Sequence, residues 1–393
     1  MNSPQKKLPF IYAALILSLE TITFRATNNM VLTTVPLLSK YDLHFSNTFV
    51  GFLAASLTTA TLISTTFLNT SLNSKTRRLV FICASFFIPL SLLLYHFSTA
   101  LTIWAIAIAS GLAYGIITPN IVTSASIMSE DKRTIERLLG LYSTSLSLSL
   151  IIGPILETYL LNYVSYREIF LFFLPLAITE AILSLYIQFP TESIKVRINK
   201  LEELKNKGLI ASILSITTYN VPFVAITTFL AIFARERFLT SASISYFSFI
   251  PFYVASFLTR FTMTLRPFRN LIKPMMVSVI LTIAGLLGMV LSPSYALFIA
   301  FLIILGIPHG SVYPMSTIMI SRYTKPVDRN IANSYFSSYV AILGIVVPPL
   351  VGAISSISDL QTAFLILIIP VVFSAILFFK TFSRDSILSG IAT

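Results

Sequence analysis

The sequence predicts an all-α membrane protein in which twelve transmembrane helices form two six-helix bundles. Three observations carry this: the composition, the lengths of the charge-free runs, and an internal repeat at half the chain length. Of 393 residues, 55% are hydrophobic and only 11% are charged, with a mean hydropathy of +0.86. A soluble domain carries about 25% charged residues. Single cores also stop growing near roughly 250–300 residues, so a soluble chain of this length would divide into several domains, each needing a charged surface that is missing here.

A spanning helix needs about 20 mostly apolar residues to cross roughly 30 Å of hydrocarbon. Helix 1 is expected over 9–38, interrupted by Glu20 and Arg25, and helix 2 within 43–74. The run 79–129 holds 51 residues without Asp, Glu, Lys or Arg, which fits helices 3 and 4 with a turn near 96–99. Helix 5 falls in 138–156 and helix 6 in 169–189, the latter carrying Glu180. Helices 7 and 8 are expected in 208–234 and 238–259, and helices 9 and 10 share 274–321 with a turn near 292–295. Helices 11 and 12 complete the set in 330–358 and 360–379. The stretch 144–150 alternates like a strand, but the uninterrupted apolar runs elsewhere exclude a β-barrel. Lys6 and Lys7 before an apolar stretch resemble a signal peptide; Glu20 and Arg25 follow with no small-residue cleavage site, so the segment reads as a retained first helix.

Numbering the helices assigns each positive charge to a side. Twenty-two Lys and Arg fall on the side of the N-terminus, Arg260 among them; four (Lys40, Arg167, Arg235, Arg237) fall on the other side, and Arg25 lies within helix 1. Positive charge collects on the cytoplasmic face, so both termini are expected there, in a multi-pass protein of the cytoplasmic membrane. The net charge of +12 then reflects topology and not a nucleic-acid partner. The single cysteine, Cys83, excludes a disulfide framework and a Cys-based metal site.

Sliding the chain by 195 residues aligns it with itself without a gap. Gly111, Gly115 and Pro119 recur as Gly306, Gly310 and Pro314; Pro154 recurs as Pro349; Lys40 maps onto Arg235. Parallel repeats of this kind build two similar bundles, expected at residues 1–189 and 208–393. Between them, 190–207 is the long charged segment, with Ile194, Ile198, Leu201 and Leu204 at helical spacing. It reads either as an amphipathic stretch on anionic headgroups or as a solvated linker.

With its six-plus-six helices and charged middle loop, the whole chain resembles the major facilitator superfamily. Its loop after helix 2 resembles the family's Gly-x-x-x-Asp-Arg-x-Gly-Arg-Arg: Arg77 and Arg78 are kept, while Asn69 and Thr76 replace the two glycines and Asn73 replaces the acid. Helix 5 keeps Gly153-Pro154 of the drug-antiporter motif Gly-x-x-x-Gly-Pro-x-x-Gly-Gly, with Glu157 and Thr158 where its last glycines would be. Ala107 stands where proton-coupled members usually have Arg, and 306–314 resembles helix 10 of many members. The resemblance implies a secondary transporter working by alternating access, with helices 1, 4, 7 and 10 around a central cavity. Proton-coupled transport, with efflux of hydrophobic or cationic compounds, is the expectation; an uncoupled facilitator or a symporter for a sugar or organic anion is the alternative, and a membrane enzyme or sensor a remote one.

Ionisable groups inside the membrane are costly, roughly 2.5–3.5 kcal/mol on insertion scales, and mark function by default. Glu20 lies 11 residues past Pro9, roughly 16 Å along the helix and near the midplane. Arg25, one and a half turns on, shares a face with Asn28 and Asn29. Glu180 is the other deep acid, giving the first half an acidic surplus that suits a proton or a cation; an inter-helix lock of Arg25 with Glu180 or Glu157 is the competing reading. Tyr114 and Asn120 in helix 4, Tyr219 and Asn220 in helix 7, and His309 and Tyr313 in helix 10 complete the expected substrate and coupling set. Expected gating positions are Asn73, Arg77, Arg78, Gly153, Pro154, Glu157, Pro348 and Pro349. No catalytic or nucleotide-binding motif, cofactor or metal site is expected, and His44, His96 and His309 are dispersed. The expected partners are a small-molecule substrate, protons and membrane lipids, for a monomer.

Overall fold

A computed structural model describes residues 9–129, 131–189, 204–266, 268–324 and 329–390. Twelve helices in it are long and apolar enough to cross a membrane: α1 Phe10–Asp42, α2 Asn47–Ser71, α3 Ser74–His96, α4 Thr102–Ile127, α5 Arg133–Leu160, α6 Tyr166–Tyr186, α7 Lys207–Phe238, α8 Ala242–Leu265, α9 Ile272–Leu291, α10 Tyr295–Tyr323, α11 Ile331–Ile357 and α12 Leu360–Phe382. They match the twelve runs one for one. Most extend past the charge-free stretch, because a helix tolerates charges in its end turns, where long side chains reach the interface. The linker 190–203, with most of its expected amphipathic pattern, lies outside the described residues.

The outward faces are apolar. On α12 the exposed large residues Ile366, Ile369, Phe373 and Ile376 follow one another at three- and four-residue steps, a continuous stripe with no aqueous rationale. The helix interiors carry the prolines. α6, α8 and α12 each break at Phe173, Ser248 and Leu367, two or three residues before Pro175, Pro251 and Pro370, as expected where the ring removes a backbone donor and crowds the preceding turn.

The chain forms two compact units, Met1–Phe45 with Leu53–Lys195, and Ser46–Phe52 with Val196–Thr393. Their internal packing repeats at the offset read from the sequence. A Cβ at Gly111 would stand 2.3 Å from the Leu57 carbonyl oxygen and 2.9 Å from Ala60 Cβ; at Gly306 it would meet the Phe252 oxygen at 2.3 Å and Ala255 Cβ at 2.7 Å, each partner 195 residues on. Gly115 against the Thr61 oxygen and Gly310 against the Ser256 oxygen, both at 2.4 Å, repeat the match one turn further. So α4 crosses α2 as α10 crosses α8, at a distance only glycine permits. The non-glycine residues with left-handed backbone among those described, His44 and Leu239, also lie 195 apart, at the α1–α2 and α7–α8 links.

Candidate functional site

In the first unit, α1 and α6 bring Glu20 and Glu180 into each other's electrostatic reach. Both side chains are fully buried, and among the described residues none of their four carboxyl oxygens has a hydrogen bond of good geometry. The neighbouring hydroxyls of α1 do not help. Thr21 donates to the Leu17 carbonyl at 2.6 Å and Thr23 to that of Leu19 at 2.8 Å, the backbone contacts threonine favours in a helix.

The acid pair belongs to a larger group. Ser85 of α3 stands beside Glu180 without the geometry of a hydrogen bond. Tyr114 of α4 lies within electrostatic reach of both Glu180 and Tyr95, and Tyr95 is next to Ser110. The polar atoms of all four are buried and unpartnered. Buried polar groups are ordinarily hydrogen-bonded, so six neighbouring side chains without well-formed hydrogen bonds among the described residues, contributed by α1, α3, α4 and α6, are a chemical signature. Sequence reading selected Glu20, Tyr114 and Glu180 but missed Ser85, Tyr95 and Ser110, because a search for charge passes over hydroxyls.

The competing reading, a lock between Arg25 and Glu180 or Glu157, is not seen among the described residues. Arg25 is half-buried and its Nε lacks a partner, whereas Glu157 accepts a 2.5 Å hydrogen bond from Thr34 that ties α5 to α1. Asn28 and Asn29 are buried on α1, and Asn29 is near α5: a Cβ built on Gly153 would lie 3.5 Å from the Ala26 carbonyl and 3.9 Å from Asn29 Nδ2. Asn120 gives both amide hydrogens to protein, to Asn69 Oδ1 at 2.8 Å and to the Ile116 carbonyl at 2.7 Å, and so fastens α4 to the end of α2. Asn73 caps α3 by accepting from the Thr76 amide at 2.9 Å, and Arg78 reaches the Leu185 carbonyl at 3.5 Å. Arg77 keeps a buried, unpartnered Nε.

The second unit presents a different cluster. His309 of α10 is 7% exposed, and its Nδ1 lies 2.5 Å from Ser256 Oγ of α8. Its ring is surrounded by Phe223, Phe252, Tyr219 and Tyr253, with centroids 4.4, 5.1, 5.3 and 5.7 Å away. The hydroxyl of Tyr219 and the Nδ2 of Asn220 are buried without partners. Tyr313 is exposed and packs on Phe336 at 5.6 Å.

Arg260 corrects the sequence reading. The charge count places it in the loop on the N-terminal side, but it lies inside α8, more than a turn before Leu265, and within electrostatic reach of Tyr219, His309 and Tyr313. Ending helix 8 at its first charge had hidden it. The excess of positives on that side falls by one and stays lopsided. Also in this unit, Gly51 lies against Pro348 and Pro349: a Cβ there would stand 2.3 Å from the Pro348 oxygen and 2.9 Å from Pro349 Cα.

These features define a polytopic transporter scaffold with buried ionisable groups. The sequence matches the family model of the Major Facilitator Superfamily over residues 17–271 and 268–390, and the chain belongs to that family. It is thus a multi-pass membrane transporter of small molecules, and not an enzyme. No curated protein matches it. Among solved structures it is similar in fold to a D-xylose–proton symporter (TM-score 0.75, 13% identity, 95% of this chain and 98% of that one). A bacterial homologue of the human lysosomal transporter Spinster, inward-facing and unoccupied, is also similar (0.73, 14%, 98% and 99%), as is the nucleoside transporter NupG (0.69, 16%, 95% and 100%).

Proposed function

We propose that the chain is a proton-coupled secondary transporter of the cytoplasmic membrane, working by alternating access, with Glu20 and Glu180 as its coupling pair. The carrying observation is the burial of two neighbouring carboxyl groups that have no well-formed hydrogen bond and no basic partner among the described residues. Two like charges cannot share an apolar site, so the pair needs a proton or a cation, and exchange of that counter-charge with either aqueous side is the elementary step of coupling. Ser85, Tyr114, Tyr95 and Ser110 supply rotatable hydroxyls along which a proton can pass. Substrate recognition falls to the aromatic group around His309, with Arg260 as its charged contact, which suits a ring-bearing compound that can stack. The excess of Lys and Arg supports cytoplasmic termini. The Gly153-Pro154 remnant supports proton antiport, and hence efflux, as the direction.

The test is flux in proteoliposomes with and without an imposed pH gradient. The substrate panel comprises hydrophobic cations and, prompted by the similar folds, a nucleoside and a pentose. Gradient-driven accumulation of one class is expected, and Glu20→Gln and Glu180→Gln are each expected to abolish it while sparing counterflow exchange. Driven accumulation that survives both substitutions would remove the pair from coupling. Flux only down the substrate's own gradient would make the chain an uncoupled facilitator and return both acids to structural roles.

A further inference from the structure

Away from both clusters, in the second unit, a cleft of about 680 Å³ opens between the end of α8, the start of α9 and the middle of α10. Its volume falls well within the roughly 300–1,000 Å³ of small-molecule sites. Its inner wall is apolar, with Met263, Val277 and Ile307 contributing. The hydroxyls that also line it have partners within the protein. Thr259 and Thr262 donate to carbonyls of their own helix, those of Ala255 and Leu258, and Ser278 pairs with Ser311 at 2.9 Å.

The rim has the opposite character. Arg266, Arg269 and Lys273 line the cleft, all three exposed, and no carboxylate is among the lining residues. The α8–α9 link that carries the two arginines is held in place. Arg322 of α10 donates to the carbonyls of Phe268 and Arg269 at 3.2 and 2.8 Å and to that of Ile387 at 2.9 Å, and the Leu271 amide donates to the Leu388 carbonyl at 2.8 Å. The cations are therefore presented on a fixed backbone at the level where α8 and α9 leave the hydrocarbon.

An apolar wall below and three exposed cations above, with no acid among the lining residues, describe an amphiphile with an anionic head. We infer that this cleft binds an anionic phospholipid, with an acyl chain along Met263, Val277 and Ile307 and the phosphate between Arg266, Arg269 and Lys273. Basic pockets between membrane helices hold such headgroups through charge-assisted hydrogen bonds. This inference is independent of the coupling pair.

The test is native mass spectrometry and thermal unfolding of the full-length protein with phosphatidylglycerol, with phosphatidylcholine of the same chains, and with inorganic phosphate. Phosphatidylglycerol is expected to bind roughly tenfold more tightly than phosphatidylcholine and to raise the unfolding temperature, with no effect of phosphate at the same concentration. The variant Arg266→Gln/Arg269→Gln/Lys273→Gln should lose that preference while keeping its affinity for phosphatidylcholine. Lys75→Gln/Arg78→Gln, in the basic first turns of α3 in the other unit, should keep the preference. Equal binding of the two lipids, a preference that survives the triple substitution, or an equal loss in the control variant would overturn the proposal. Protection by inorganic phosphate alone would overturn it in favour of a soluble anion.

Discussion

The two halves share a scaffold and divide the chemistry. Phe24 and Tyr114 meet edge to face at 5.9 Å in the first half, and their counterparts 195 residues on, Tyr219 and His309, meet at 5.3 Å in the second. One turn away the likeness ends. Glu20 corresponds to Ser215, which is satisfied by Ser316 Oγ at 2.7 Å, and none of the buried residues of α12 or α9 is acidic. At the helix crossing, Ser64 and Thr65 donate across to the α4 carbonyls of Leu112 and Gly115 at 2.7 and 2.9 Å. Thr259 instead turns back on its own helix, and Arg260 occupies the place of Thr65. Backbone contact at the glycines fixes the crossing in both halves, because no side chain fits there. The side chains one turn away are not so constrained, and acid has accumulated in one half, aromatic rings and a cation in the other.

The strongest way to break this comparison is to move the acid. Glu20→Ser gives the first half the second half's residue and is expected to abolish gradient-driven accumulation, again sparing exchange. Adding Ser215→Glu should not restore it, because no second acid is among the buried residues of α12 or α9 to share its counter-charge. Restored accumulation in the double variant would show that the halves are chemically interchangeable.

A smaller effect tests the shared scaffold. Gly115→Ala and Gly310→Ala each place a methyl 2.4 Å from a carbonyl oxygen of the facing helix, and overpacking of this kind costs about 1–3 kcal/mol. Equal losses of thermal stability are expected for the two. Gly140→Ala is the contrast: a Cβ there meets nothing within 4 Å, and helix propensity alone should stabilise by about 0.5–1 kcal/mol. Unequal losses at Gly115 and Gly310, read by detergent melting curves, would mean that the crossings differ in depth despite their matched contacts.

Most of this scaffold was legible in the sequence. Charge-free runs count helices because the hydrocarbon excludes charge, and the offset of 195 survives wherever glycine is the only residue that fits. The site was legible only where it is charged. Glu20 and Glu180 stood out, whereas Ser85, Tyr95 and Ser110 are ordinary residues until the fold brings them to an acid. Arg260 was misplaced by the same rule that found the helices, since a charge near a helix end looks like a loop. Asn120 and Asn73 illustrate the reverse: polar residues in promising positions whose hydrogen bonds serve helix packing and capping.

If the halves differ only in their buried chemistry, their surface caps should behave alike, and this is the smallest effect to look for. Asp131 caps α5 in the first half, accepting from the Thr134 amide at 2.9 Å and hydroxyl at 2.7 Å. Asp359 caps α12 in the second, accepting from the Thr362 amide at 2.6 Å. The hydrogen bonds from these threonines hold each carboxyl below the ordinary Asp value. A group whose pKa is lowered on folding stabilises the folded state above its unfolded value, near 3.9 for Asp, and loses that contribution as pH falls through the folded value. Melting temperatures should therefore fall on acidification below about pH 4, and Asp131→Asn and Asp359→Asn should each flatten that fall by about a degree, additively, since the sites share no partners. A flattening confined to one variant would show that the division between the halves extends from the buried acids to the helix ends.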